Sequence, residues 1–309
     1  MPHTSPPDIS PPITTAGDPR VGHLLGSGLA KHDEPAAVLL GFPSDEGVRR
    51  NGGRIGAVDG PRALRAALYR LTPDSREPRL EALLRRTRDL GDLDVTGELE
   101  IDQRNLGELL APHLDRGALA IVLGGGHETS YGHFQGYVMA ERSVDILNWD
   151  AHADVRELKN GSGHSGSPFR QAIEDASGAC RRYVVAGLEA HLVSRDHLDY
   201  VQQHGAVIWR DGLNRAAIDS IYSSMASPTM VSFDLDALNQ GEAPGVSAPN
   251  AAGLTSELWL AAAYAAGRSR SVSSADVVEL NPRVDRDDQT ARLAALTVWW
   301  LLRGCAERH

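Results

Sequence analysis

Short apolar runs recur along the chain at Ala37–Phe42, Ala118–Leu123, Val144–Trp149, Tyr183–Leu188, Ala206–Trp209, Thr229–Leu235 and Ala275–Leu280. Each has strand length, and most show little polar alternation, the pattern of strands covered on both faces. The intervening segments read as helices. Pro61 ahead of Ala63–Leu68 suits a helix with proline in its first turn, and Ser194–Gln203 followed by Gly205 suits a capped helix with a glycine stop. A last helix is expected over Asp287–Arg303, after the Asn281-Pro282 break. At least seven strands alternate with helices, and no linker-like stretch interrupts residues 30–303. The pattern therefore predicts an α/β fold, a three-layer α/β/α sandwich around a mostly parallel sheet, as a single domain over residues 19–309. Six of the 17 prolines fall in the first 20 residues, so residues 1–18 are expected to form a flexible arm.

Composition narrows the function classes. The 309 residues carry 31 basic and 41 acidic side chains, a formal charge of −10. No cationic face for a phosphate backbone or an anionic membrane is expected, so neither nucleic acid nor membrane is an expected partner. The longest apolar stretch, Leu293–Leu302, is broken by Thr297 and falls short of the ~20 residues that span a bilayer. No basic-then-apolar leader opens the chain. Only Cys180 and Cys305 are present, which fits a reducing cytoplasm and leaves no thiolate metal cluster.

Four segments concentrate chemistry at the expected carboxyl ends of strands, where open α/β sheets bind ligands. They are Gly124-Gly125-Gly126-His127-Glu128, Asn148–Asp154, Ser232–Asp236 and Glu279–Pro282. In extended backbone Asp150, His152 and Asp154 share one side, as do Asp234 and Asp236. With His127 they make four carboxylates and two imidazoles, a charge that matches two divalent cations. A lone Asp at a strand end is usually a turn or cap residue, and a lone buried His is usually hydrogen-bonded core. Three ionisable groups aimed at one spot by Asp-x-His-x-Asp need a ligand to explain them. Hard oxygen and borderline nitrogen donors favour manganese. Two such ions would hold a hydroxide for attack on an electrophilic carbon, so hydrolysis is the expected chemistry. Gly161–Gly166 fits G-x-G-x-x-G, but polar residues precede it where a dinucleotide site needs a strand.

GGGHE at 124–128, DAHAD at 150–154, SFDLD at 232–236 and VELNP at 278–282 resemble the four signatures of the ureohydrolases. This family includes arginase, agmatinase and formimidoylglutamase. The resemblance implies an eight-stranded parallel sheet and two Mn2+ ions per subunit, with a bridging hydroxide attacking an amidine or guanidine carbon. It places His127 and Asp150 on one ion and His152 and Asp236 on the other, with Asp154 and Asp234 serving both. It also implies a homo-oligomer, trimer or hexamer. Trp299 and Trp300 in the last helix read equally as core or as contact.

The segments 41–65, 126–136, 165–171 and 243–249 are most similar to formimidoylglutamases, which cleave N-formimidoyl-L-glutamate to glutamate and formamide in histidine degradation. Other ureohydrolases (agmatinase, guanidinobutyrase or arginase-like) and a non-catalytic metal-binding relative are the alternatives. Where arginases place a histidine before Gly-x-Pro, this chain has Ser165, with His164 one position earlier. Either His164 takes the proton-shuttle role, or Ser165 serves the substrate there. Asp154 is expected to relay a proton to the leaving amine, and Glu279 to hold the amidinium. Arg49, Arg50 and Arg54 are the candidate carboxylate clamps, with Arg170 next.

Overall fold

The computed structural model describes residues 2–15 and 17–308. Its strands are β1 (Thr4–Ser5), β2 (Ala37–Phe42), β3 (Thr87–Leu93), β4 (Leu119–Gly124), β5 (Val144–Trp149), β6 (Cys180–Leu188), β7 (Gly205–Trp209), β8 (Thr229–Asp234) and β9 (Val272–Val278). Its α-helices are α1 (Val21–Leu24), α2 (Glu46–Asn51), α3 (Gly60–Tyr69), α4 (Pro78–Arg85), α5 (Leu99–Asp115), α6 (Thr129–Met139), α7 (Pro168–Ile173), α8 (Arg195–His204), α9 (Arg215–Ser224), α10 (Ser256–Arg268) and α11 (Gln289–Cys305). The strands form one sheet in the order β1-β3-β2-β4-β9-β8-β5-β6-β7, parallel throughout except for β1.

Alternation along each strand divides its side chains between two cores. On β2, Val38, Leu40 and Phe42 face the layer of α5, α6, α7 and α8, while Ala37 and Leu39 face the layer of α3, α10 and α11. Burial on both faces explains why the strand runs read as continuously apolar. The three-layer expectation holds, with nine strands among the described residues in place of seven read directly and eight implied by resemblance. The two extra strands had no apolar run to mark them. Thr87–Leu93 carries Arg88, Asp89 and Asp92, because its polar positions serve an ion-pair cluster near the sheet edge. Within the arm expected over residues 1–18, Thr4 and Ser5 pair antiparallel with Leu93 and Asp92.

Two helix ends differ from expectation. Gly205 does not end α8 through a left-handed turn: its φ is 177° and it opens β7 directly. Glycine is needed there because a Cβ would lie 1.5 Å from the Tyr183 carbonyl oxygen. The last helix starts at Gln289, two residues later than expected, after Asp287 and Asp288 with φ of 51° and 54°. Thr297, which interrupts the apolar stretch, accepts a hydrogen bond from Trp259 Nε1 at 2.7 Å inside the core. Trp299 and Trp300 are half-buried against that core.

Candidate metal centre

Strands β4, β9, β8 and β5 are neighbours at the middle of the sheet, and the four motif segments leave their carboxyl ends. The glycines after β4 serve close approach, since a Cβ on Gly125 would lie 1.9 Å from the Ser44 carbonyl oxygen. None of Gly124, Gly125 and Gly126 has a positive φ.

The ligand residues converge, though not as extended backbone. β5 ends at Trp149, and β8 gives way at Leu235 to a turn of 3₁₀ helix. Side-chain turns replace the pleat: Asp150 Oδ1 accepts from the His152 backbone N–H at 2.7 Å, and Asp234 Oδ1 accepts from that of Asp236 at 2.8 Å. These are Asx turns, which fold each second side chain back toward the first. Asp154 and Glu279 adopt φ of 45° and 68°, left-handed conformations that cost a carboxylate residue of order 1–3 kcal/mol and cluster at working sites. Glu279 is held by its own N–H on the Gly125 carbonyl, and its Oε1 accepts from the His127 N–H, both at 2.8 Å.

Two clusters result. His127 Nδ1 lies 2.8 Å from Asp234 Oδ2, 2.9 Å from Asp154 Oδ2 and 3.4 Å from Asp150 Oδ2. His152 Nδ1 lies 3.3 Å from Asp236 Oδ2 and 3.4 Å from Asp150 Oδ1. Asp150 is the carboxylate common to both; Asp154 and Asp234 belong to the His127 cluster. The resemblance gave the shared place to Asp154 and Asp234; here both group with His127. Asp150, first after the strand, stands between the imidazoles, whereas Asp154 returns through the turn on the His127 side.

The electrostatics call for cations. Burial and then the Asp236 and Asp150 carboxylates push Asp234 well above the usual carboxylate range. Burial also raises Asp236 to about 7, and it raises Glu279, helped by Asp234. His127 Nδ1 and Asp236 Oδ1 are buried without a hydrogen-bond partner. Bare lone pairs aimed inward, with no sulfur in the donor set, fit two hard divalent ions such as Mn2+.

The other expected site residues divide. Ser165 lines the cavity over the centre, with Gly166, Asn51, Ser247 and Glu279. His164 turns away from it: Nε2 donates to the Glu157 carbonyl at 3.0 Å and Nδ1 accepts from the Gly166 N–H at 3.1 Å, so both ring nitrogens are spent on holding the loop. Of the two residues offered before Gly-x-Pro, Ser165 is the one that lines the cavity. None of the three candidate clamps lines the cavity either. Arg49 forms a bidentate pair with Glu46, and Arg50 binds Glu46, Glu100 and the Gly163 carbonyl. Arg54 grips the carbonyls of Val246 and Ser247. Arg170 pairs with Glu174 and stacks on Tyr200 at 4.4 Å. Local acids and carbonyls satisfied these cations in ways their spacing did not reveal.

The arginine that does face the cavity is Arg156. Its one side-chain hydrogen bond among the described residues runs from Nη1 to Asn51 Oδ1 at 3.4 Å. Alternation along the sequence could not have placed it, because the backbone beyond Trp149 turns and is not extended.

A parallel sheet whose central strands deliver paired acids and imidazoles to one point defines a class. The chain belongs to the arginase family, whose model matches residues 35–303. Among its relatives, the formimidoylglutamase of Chromobacterium violaceum is 34% identical over 294 residues, covering 91% of this chain and 92% of that one. That of Rhodococcus jostii is 40% identical over 282 residues, 85% of each. A crystal structure of Trypanosoma cruzi formiminoglutamase with Mn2+ superposes with a TM-score of 0.86 at 33% identity, covering 94% of this chain and all of that one.

Proposed function

We propose that this protein hydrolyses N-formimidoyl-L-glutamate to L-glutamate and formamide, using two manganese ions held by His127, Asp150, Asp154 and Asp234 and by His152, Asp150 and Asp236. The observation that carries this reading is the presence, in one cavity, of two acid–imidazole clusters joined at Asp150 and an arginine without a carboxylate partner among the described residues. Two divalent ions there supply Lewis acidity and bring the pKa of a water toward neutrality.

The chain's own groups do the rest. Glu279, beside the His127 cluster, binds the amidinium end of the substrate. Arg156 binds one glutamate carboxylate through its planar fork. Lys159 Nζ donates to the same Asn51 Oδ1 and to the Arg50 carbonyl, each at 3.2 Å, and steadies the loop beside Arg156. Ser165 hydrogen-bonds the substrate between these ends. Water adds to the amidine carbon and the bond to the glutamate nitrogen breaks. The Asp154 carboxylate takes the proton from the water and returns it to the departing amine. We further assign the protein to the cytoplasm as a homo-oligomer, with residues 19–309 as one folding unit. Among the described residues no helix is long and apolar enough to cross a membrane.

Steady-state assay of the manganese-loaded protein on formimidoyl-glutamate, arginine, agmatine and guanidinobutyrate tests the assignment. Formamide release, with the other three turned over far more slowly, is the expected result. Preferential turnover of a guanidine would move the chain to another branch, and two bound ions without turnover would make it a non-catalytic relative. Light scattering near the 33.2 kDa of one chain would remove the oligomer.

A further inference from the structure

Behind His127, a second polar cluster interrupts an otherwise apolar layer. Asp276, on the central strand β9, is completely buried, as are Ser232 on β8 and Ser130 and His133 on α6. Ser232 and Asp276 are partners in the β8–β9 register, so both project toward α6. An unpaired carboxylate at that depth would cost several kcal/mol. Here it receives three donors: Ser232 Oγ to Oδ1 at 2.6 Å, and Ser130 Oγ at 3.0 Å and His133 Nδ1 at 2.8 Å to Oδ2. On the far side of His133, Nε2 meets Ser274 Oγ at 2.6 Å, which in turn meets Tyr137 OH at 2.6 Å.

Counting protons along this chain gives it a direction. Ser232 Oγ touches three groups, Asp276 at 2.6 Å, His127 at 3.0 Å and Ser130 Oγ at 3.1 Å, and its single proton goes to the nearest and only anionic one, Asp276. At its 3.0 Å contact with His127 Nε2, Ser232 can therefore only accept, so Nε2 carries the proton. With a cation in the site the imidazole is neutral, and Nδ1, the atom that faces Asp150, Asp154 and Asp234, then presents its lone pair to the ion. Were Ser232 free to donate to Nε2, the other tautomer would place a hydrogen where the ion belongs.

We propose that Asp276, acting through Ser232 and braced by His133 and Ser130, is a positioning residue that fixes the tautomer and orientation of His127 and so sets the affinity of the His127-side manganese site. Hydrogen-bonded partners of this kind orient metal-binding imidazoles, and their loss typically weakens metal binding about 10- to 100-fold. The inference rests on the binuclear reading above.

The experiment is Mn2+ titration of the metal-free protein, followed by the electron paramagnetic resonance signal of free Mn2+ and by the melting temperature at each metal concentration. In Ser232→Ala, one of the two ions should bind about 10- to 100-fold more weakly while the other keeps its affinity. The rise in melting temperature on adding Mn2+ should shrink, with the metal-free value unchanged. Ser232→Thr, which keeps the hydroxyl, should return to within about threefold of the parent. A packing role predicts the reverse order, because alanine fits wherever serine does and threonine adds a methyl group. Asp276→Asn should reproduce the alanine result; if that variant does not fold, the Ser232 pair decides. Two ions bound by Ser232→Ala at parental affinity would overturn the inference alone. A parent protein that binds no Mn2+ would overturn the metal centre and the inference together.

Discussion

Two groups of acids lie along the sheet, and they are neutralised in opposite ways. Toward one edge, Asp89 and Asp92 of β3 surround Arg65 of α3, whose side chain is 0% exposed. Arg65 Nε reaches Asp89 at 2.9 Å and Nη1 reaches Asp92 at 2.7 Å, while Tyr69 OH donates to Asp89 at 2.9 Å. Burial opposes the guanidinium charge, and Asp89 and Asp92 more than offset it. Every group there has a partner within the chain. At the centre of the sheet, four aspartates and Glu279 face two imidazoles, with buried lone pairs left over. The cluster whose acids find their donors within the chain holds structure together. The one with four aspartates and buried polar atoms left unpartnered stores a demand for cations that a bound ion meets.

The comparison makes opposite predictions for removing a charge. Asp234→Ala should lower turnover by roughly a thousandfold or more, the several kcal/mol of transition-state stabilisation that metal ions contribute. Manganese content, measured by elemental analysis, should fall with it. In urea denaturation the metal-free variant should be at least as stable as the metal-free parent, because a repelling buried carboxylate has gone. Arg65→Met should do the reverse. It strands two acids and should cost about 3–5 kcal/mol of unfolding free energy, with kcat per folded, manganese-loaded molecule retained. Equal stability losses in the two variants would erase the distinction between the clusters.

Smaller effects test how the cavity is read. Arg156→Ala should lower kcat/KM on formimidoyl-glutamate by roughly a hundredfold, the loss expected when a desolvated carboxylate loses its partner. Manganese stoichiometry should remain at two. Arg49→Ala should change kcat/KM by less than about threefold, since exposed ion pairs contribute only ~0–1 kcal/mol. A reversal of that order would return the clamp to α2 and refute the placement of Arg156.

How much of this was legible in advance varied with the physics behind each residue. His127, Asp150, His152, Asp154, Asp234 and Asp236 could be named from sequence because several ionisable groups at the ends of apolar strands have no low-energy explanation except a ligand. The seven apolar strands and the α/β/α layering followed from burial on both faces, which leaves its mark on every residue of a strand. Strand β3 and the fates of Arg49, Arg50, Arg54, Arg156 and His164 were decided only by the tertiary structure. A long cationic side chain takes whichever acid or carbonyl folding brings near, and for these that partner was Glu46, Glu100, Val246 or Asn51. The sharing of Asp150 likewise depended on where the turn after β5 set its two oxygens, a matter of a few ångströms that spacing along the chain does not encode.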